Sequence, residues 1–600
     1  MASWYRYFKR AFRKKPLEDP LRPSQRARDI RGDLDNLIPF FKKYWKQVAA
    51  GFTIILFSTL VILPLPLIYK SIVDRVIIDG QLKLLASLVV LYISIKLLGK
   101  ISGAFMGFYF SRLEQTIILD IQTRLLDHTL KLPKSFFDQR EIGYLMSRLL
   151  GDVSGLRFFF SSNLVNIISS SFQFIGGMVF LFYLKWQLAL VVCIMLPAIV
   201  AVVRVFGRRI HNLSHHHLEQ GANVSRVMQE SLSLSPLVKA YSSERSTLKS
   251  ITAQLRKALN LGLEGASLST GAGFSIGLFP DITKFFILVA GAVLIVRGNW
   301  TIGGLLAFQS YTGYVFGPAL FIANVNIQLQ KALVSLKRVS GLFDIVPEKN
   351  LDRGKVLPQP VDRIRFQQVS FAYGGEKHVL REVDFTLRAG RMYGLIGESG
   401  VGKTTLVSII LGFYRPLDGR VFFSGIPLEE LNLSRLRKRI GYLSQTPYIF
   451  SGTVEDNIRF GNPRADLGTI RKASRMAGID TFISRFPAGY QERLGEEGVN
   501  LSQGQRQRIA LARVIVRNPD VIILDEPTSA MDQITMELFD RLVPRLMRDK
   551  ILIVVTHDPQ LLQKAGTILI LNREGRLKAG PLRDFLSDPY YSRLIRSGKS

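Results

Sequence analysis

Apolar residues follow two different rhythms along this chain. Up to about residue 335 they form six long stretches, at roughly 49–70, 83–110, 164–184, 186–206, 274–296 and 301–323. Each is close to the twenty or so residues that a helix needs to cross a bilayer core. Beyond residue 360 the runs shorten and become β-branched, as in Arg391–Ile396, Val521–Leu524 and Ile551–Thr556, with helical segments between them. Strands alternating with helices predict a parallel-sheet domain. The expected fold is a membrane α-helical bundle of six crossings followed by an α/β domain.

The connections sort the bundle across the membrane. Leu184-Lys185-Trp186 and Gly298-Asn299-Trp300 are tight turns, whereas residues 111–163 and 207–273 are long and basic, from Arg112, Arg124 and Arg148 to Arg208, Arg209 and Lys249. Basic connections stay on the cytoplasmic side, which places both long stretches and the N-terminus there. The chain carries 79 Lys+Arg against 47 Asp+Glu, a formal charge of +32. That excess fits the membrane rule, and no nucleic-acid motif accompanies it, so no nucleic-acid partner is expected. Cys193 is the only cysteine, which excludes an intrachain disulfide.

Residues 1–32 form a basic segment in which Trp4, Phe8 and Phe12 recur every four positions. That spacing predicts a short amphipathic helix on an anionic membrane surface. A second amphipathic stretch, Leu34–Trp45, is expected along the interface before the first crossing, and no cleavable signal peptide is visible. The transmembrane domain is read as 33–335, a linker as 336–360, where FDIVPEKNLDRGKVLPQP (343–360) breaks periodicity, and the second domain as 361–600.

The chemistry begins at Gly397-Glu398-Ser399-Gly400-Val401-Gly402-Lys403-Thr404, followed by Thr405. This is a phosphate-cradling loop: backbone N–H groups wrap the phosphates, Lys403 reaches the β and γ oxygens, and Thr404 holds Mg²⁺. In order after it come LSQGQRQRIALAR (501–513), VIILDEPTSAMD (521–532) and Thr556-His557.

With these motifs in place the chain resembles an ABC exporter half-transporter, a type I arrangement with an α/β P-loop ATPase domain, over nearly its whole length. The resemblance implies an ATP hydrolase coupled to transport. It implies that Tyr373 stacks on adenine, and that Gln445 touches the metal and the lytic water. Asp525 would hold Mg²⁺, Glu526 would act as general base, and His557 would contact the γ-phosphate. Ser502, Gly504 and Gln505 belong to the signature, which meets ATP on an opposing domain, and Asp532 belongs to the loop crossing that interface. Gln503 stands where the family usually has glycine. Consecutive acids at a strand end suit phosphoryl transfer, which needs charge neutralisation and an oriented water.

A signature acting in trans requires a second half-transporter. A homodimer is the simplest expectation and a heterodimer the alternative. Residues 136–153 and 229–244 resemble the loops that couple such domains to the membrane. The implied cargo is hydrophobic or amphipathic, such as a drug, lipid or small peptide. The implied location is the lipid bilayer of a bacterial inner membrane, with the ATPase domain in the cytoplasm. An importer on the same scaffold, a weakly hydrolysing half and a gated channel stand as rival readings.

Some features stay open. Asp281 and Lys284 lie three apart within a crossing, as a functional site or a self-stabilising pair. Phe105, Phe108, Tyr109, Gln309, Tyr311, Tyr314 and Phe316 line a cavity or pack helices. His211, His215 and Glu219 share a helical face suited to a metal, or to solvent.

Overall fold

The computed structural model describes residues 2–13, 38–140, 142–160, 162–358, 360–374, 378–495, 501–527 and 541–586. Among the described residues the chain divides into two units, Met1–Thr129 with Ile142–Ile345, and Leu130–Glu141 with Val346–Ser600.

The first unit is helical. Its principal helices are α1 (Ala2–Arg13), α2 (Ile38–Ile62), α3 (Leu85–Leu130), α4 (Ser162–Ser233), α5 (Glu244–Val296) and α6 (Ile302–Phe343). Five helical stretches are long and apolar enough to cross a membrane. One of them contains α4, which spans 72 residues and leaves helical geometry at Lys185 (φ −164°, ψ 95°). At 1.5 Å per residue an unbroken α4 would reach about 108 Å, more than three bilayer cores. Lys185 therefore separates two crossings, which gives six in all.

Leu34–Trp45 was expected to lie apart along the interface. Its described part instead continues without a break into the first crossing as α2: Pro39 falls in the first turn, where a missing N–H costs nothing, and no proline or glycine follows through Phe40–Ala50. The first break comes at Pro64, after which Leu65–Ser71 resumes.

Aromatic residues of the sixth crossing serve packing. Tyr311 is fully buried, stacks on Phe180 at 4.9 Å and donates to the Leu63 carbonyl at 2.9 Å. Phe105 and Phe108 are exposed. Asp74 receives the Thr301 hydroxyl at 2.7 Å and the Gly303 amide at 2.8 Å, which anchors the start of α6.

The aromatic stripe of α1 turns inward in part, at Phe8. Trp4, Phe8 and Phe12 stack in series, and Phe8 and Phe12 meet Phe206 of α4 at 6.4 and 6.1 Å. Ala11 is buried with Leu213 and Leu268, and the Arg209 guanidinium lies 3.5 Å over the Phe12 ring. The stripe was expected on lipid. A groove between α4 and α5, open because Gly271 lacks a side chain, takes Phe8 instead, while Trp4 and Phe12 stay exposed.

The second unit is α/β. Antiparallel strands β1 (Arg363–Ala372), β2 (His378–Arg388), β4 (Asp418–Phe423) and β5 (Ile426–Pro427) form one sheet in the order β2-β1-β4-β5. A second sheet holds β3 (Arg391–Ile396), β6 (Ile440–Leu443), β9 (Val521–Asp525), β10 (Ile551–Val555), β11 (Thr567–Leu571) and β12 (Leu577–Gly580). Their order is β12-β11-β3-β10-β9-β6, all parallel except the β12 edge, and β7 (Gly452–Thr453) pairs β8 (Arg493–Leu494) separately. Both faces are covered: Val521, Ile523, Ile551 and Ile553 join one core, and Ile522, Leu524, Leu552 and Val554 the other. Burial on both faces is why these strands read as unbroken apolar runs.

Candidate functional site

Four neighbouring parallel strands, β3, β10, β9 and β6, deliver the expected residues at their carboxyl ends. After β3 comes the glycine loop, after β10 His557, at the end of β9 Asp525 and Glu526, and beyond β6 Gln445. Ligands gather at this edge of open α/β sheets. Register fixes the levels: Val555 pairs with Asp525, and Leu443 with Leu524.

The loop 397–402 needs its glycines. Gly400 and Gly402 have φ +80° and +112°, which side-chain-bearing residues avoid. A β-carbon on Gly397 would fall 2.7 Å from the Leu571 carbonyl oxygen. The turn delivers helix α7 (Lys403–Ile410), whose first amides face the loop. Lys403 folds back and donates to the carbonyls of Gly397 (2.5 Å) and Glu398 (3.0 Å). Burial lowers its pKa against the pull of Glu526 and Asp525. A half-buried lysine spending its protons on loop carbonyls is a cation positioned for phosphate. Ser399 and Val401 complete the loop, with Thr404 and Thr405 in the first turn of α7.

Burial pushes the Asp525 carboxyl up, opposed by the Tyr442 hydroxyl at 3.4 Å and by Lys403. Burial and the neighbouring Asp525 charge push Glu526 up. Glu526 holds φ +49°, an uncommon conformation held by the hydrogen bond its backbone N–H donates to the Val555 carbonyl at 2.8 Å. Its carboxylate lies 3.9 Å from His557 Nε2. Burial and then Lys403 lower the His557 pKa, so the imidazole is neutral near pH 7 and this contact is polar rather than ionic.

Tyr373 is 45% exposed, edge-on to Phe371 (4.9 Å) and Tyr414 (5.2 Å), with its hydroxyl 3.0 Å from Thr405 Oγ1. Gln445 is exposed in the loop after β6.

The signature opens helix α8 (Gln503–Arg517). Ser502 is its N-cap, accepting from the Gln505 amide at 3.3 Å, while Gln505 Oε1 accepts from the Ser502 amide at 2.9 Å. This reciprocal box gives Gln505 a local reason to be present. Gly504 is buried, whereas Gln503 is exposed in the first turn, so a side chain there leaves the helix start intact. Asp532 lies outside the described residues, as do the side chains of His211 and His215.

Sequence reasoning missed several partners. Arg573 pairs with Glu398 at 2.5 Å, Gln507 donates to the Glu526 carbonyl at 3.4 Å, and Tyr442 reaches Asp525. Arg513 donates to the carbonyls of Asn457 (2.8 Å) and Tyr448 (3.0 Å), and burial lowers its pKa to about 10. Arg573 and Tyr442 stand in none of the motifs quoted above. Gln507 and Arg513 had a signal, as members of LSQGQRQRIALAR.

Residues 48–319 match the family model for the ABC transporter transmembrane region, and 380–529 that for the ABC transporter. An ATP-dependent lipid A-core flippase from Chromohalobacter salexigens is 30% identical over 507 residues, covering 82% of this chain and 85% of the relative. ABC transporter B family member 1 from Dictyostelium discoideum is 29% identical over 571 residues, covering 94% of this chain. The chain spans 62% of the length of that relative. A solved bacterial Atm1-family ABC exporter with ATP bound shares the fold at TM-score 0.81 and 22% identity, covering 93% of this chain and 99% of that one. The glycine loop, the paired acids and the six crossings thus come together with their namesakes: this chain belongs to the ABC transporter family, as a half-transporter joining one multi-pass membrane domain to one nucleotide-binding domain.

Proposed function

We propose that the chain pairs with a second copy and couples ATP hydrolysis to outward movement of a hydrophobic or amphipathic compound, a lipid or drug. The observation that carries this reading is the complete acid–histidine edge. Glu526 and His557 sit 3.9 Å apart beside a phosphate loop whose lysine is already in place. In this reading Tyr373 stacks on adenine, and the loop amides with Lys403, Thr404 and Thr405 hold the phosphates. Ser502, Gly504 and Gln505 contact ATP on the opposing copy, with Asp532 at the interface between copies. The donor set of Thr404, Asp525 and Gln445 suits Mg²⁺, whose contribution is charge neutralisation on the phosphates. Glu526 accepts a proton from the attacking water, and His557 donates a hydrogen bond to the phosphoryl oxygens.

The cargo class rests on the lipid A-core flippase relative and on the exposed aromatic residues Phe105 and Phe108. The location follows as a bacterial inner membrane, with the nucleotide-binding domain in the cytoplasm. Reconstituted vesicles test direction and cargo together. With the ATPase domain outside, ATP should drive a fluorescent lipid or lipophilic dye inward, and Glu526→Gln should stop it. Depletion of cargo already loaded inside would establish an importer.

A further inference from the structure

A cavity of about 160 Å³ lies in the nucleotide-binding unit, at the amino ends of β6 and β9. The nucleotide loop follows the carboxyl end of β3, so the two sites occupy opposite edges of one sheet, separated by roughly 15 Å of strand. One wall is the linker segment 355–357; the other is the short helix Leu433–Lys438 with Leu431 and Asn432 before it. Gly354, at φ +103°, brings the linker so near that a β-carbon there would lie 2.6 Å from the Glu430 carbonyl oxygen. Backbone bonds fix the wall: the Lys355 amide donates to the Glu430 carbonyl at 2.7 Å, and the Asn432 amide to the Lys355 carbonyl at 2.9 Å. Buried Leu357, Leu431 and Leu436 supply the apolar part of the lining.

The polar part is cationic, from Lys355, Arg435, Lys438 and Arg439. Lys355 is paired with Glu430 at 2.8 Å and Arg439 with Asp520 at 3.0 Å. Arg435 and Lys438, three apart on one helix face, are exposed and make no ion pair among the described residues. Asn432 is 9% exposed, and its Oδ1 caps the helix by accepting from the Arg435 amide at 2.9 Å. Its side-chain nitrogen donates to nothing among the described residues, and an unmade bond at a buried donor is costly. A buried donor beside two unmatched cations calls for an anion. Size narrows the class: one water needs about 10–15 Å³, whereas pockets for drug-sized ligands start at about 300 Å³. This cavity suits a phosphate group and excludes a whole nucleotide. Charge agrees, because two unmatched cations balance the charge of about −1.5 to −2 on a phosphate monoester at pH 7 better than that of one carboxylate.

The geometry points to a second phosphate site, separate from the nucleotide loop, for free phosphate or a small phosphate monoester. Arg435 and Lys438 neutralise the phosphate oxygens, and the Asn432 side-chain nitrogen donates to one of them. The occupant would bridge the linker at Lys355 to the helix that leads into β6.

Equilibrium binding of radiolabelled inorganic phosphate to the full-length chain in lipid tests this, with a non-hydrolysable ATP analogue and Mg²⁺ filling the nucleotide loop. Wild type should still bind phosphate. Arg435→Ala combined with Lys438→Ala should weaken that binding at least about 10-fold. Asn432→Asp keeps the capping oxygen and replaces the donor by a second oxygen, so the helix stays capped while phosphate binding falls at least about 10-fold. Displacement of the label by less glycerol 3-phosphate than unlabelled phosphate would assign the site to a phosphate monoester, and the reverse order to free phosphate. No phosphate bound by the wild type once the loop is filled would overturn the site. Binding undiminished in either variant would overturn it as well.

Discussion

The Tyr414 hydroxyl donates to the Asp138 carboxylate, tying the short helix Lys134–Asp138 of the first long cytoplasmic stretch to the aromatic cluster that includes Tyr373. All of these residues belong to the nucleotide-binding unit. Burial pushes Asp138 up, but bonds from Lys134 and Tyr414 outweigh it and hold the carboxyl below its ordinary range. Burial and the Asp138 bond push Tyr414 up. The residue proposed to stack on adenine is therefore one ring away from a segment that resembles a coupling loop.

Tyr414→Phe keeps the ring and removes the donor. The helix should loosen by about 1 kcal/mol, a charged hydrogen bond discounted for exposure. Basal ATPase should stay within about 2-fold, while stimulation by cargo falls. Equal losses in both would place Tyr414 in nucleotide binding rather than coupling.

Glu526 should set the acid limb of hydrolysis. A general base works deprotonated, so activity should fall as pH drops through a value above the ordinary glutamate range. Stability carries the opposite sign. The folded pKa is raised, so stability contributed by the protonated form is lost as pH rises through that window. Glu526→Gln should therefore cut turnover by about 10²–10⁴ while raising the melting midpoint of the nucleotide-free protein at pH 7. A pH–rate profile and a thermal scan on both proteins check the pair of signs.

Position 503 should matter less than position 502. Gln503 is exposed in the first turn of α8, so Gln503→Gly should change ATPase by less than about 3-fold, with stability moving by less than about 1 kcal/mol. Ser502→Ala removes the cap and should destabilise by about 1 kcal/mol. It should also lower ATPase much further than the Gln503 change does. Matching losses in steady-state hydrolysis would show that residue 503 limits turnover.

The docked N-terminal helix gives a separate test. Gly271→Leu would push a β-carbon to 2.6 Å from the Phe8 ring and should expel α1. Phe8→Ala should weaken the same docking by about 1–2 kcal/mol. Limited proteolysis should then cut within residues 2–13 several-fold faster in both variants. Unchanged cleavage would show that α1 is held elsewhere.

The order of strands and loops around the nucleotide site was legible because each motif is local. A glycine turn, an acid pair at a strand end and a histidine after a strand carry their chemistry within a few residues. The six crossings were legible from length alone, down to the turn at Lys185. What escaped depends on distant pairing. The docking of Phe8 and Phe12 against Phe206 joins residues about two hundred positions apart, and the same stripe suits lipid equally well. Tyr311 reads as a cavity residue or a packing residue until its bond to the Leu63 carbonyl decides for packing. Arg573 and Tyr442 hold motif residues without belonging to a motif.

The most direct test is ATP hydrolysis by this chain purified alone in lipid, wild type beside Glu526→Gln, with the oligomeric mass measured on the same samples. Self-pairing with a complete site predicts a homodimer that hydrolyses ATP and falls at least about 100-fold on substitution. A wild-type chain that fails to hydrolyse ATP, or a Gln variant that keeps its turnover, would contradict it.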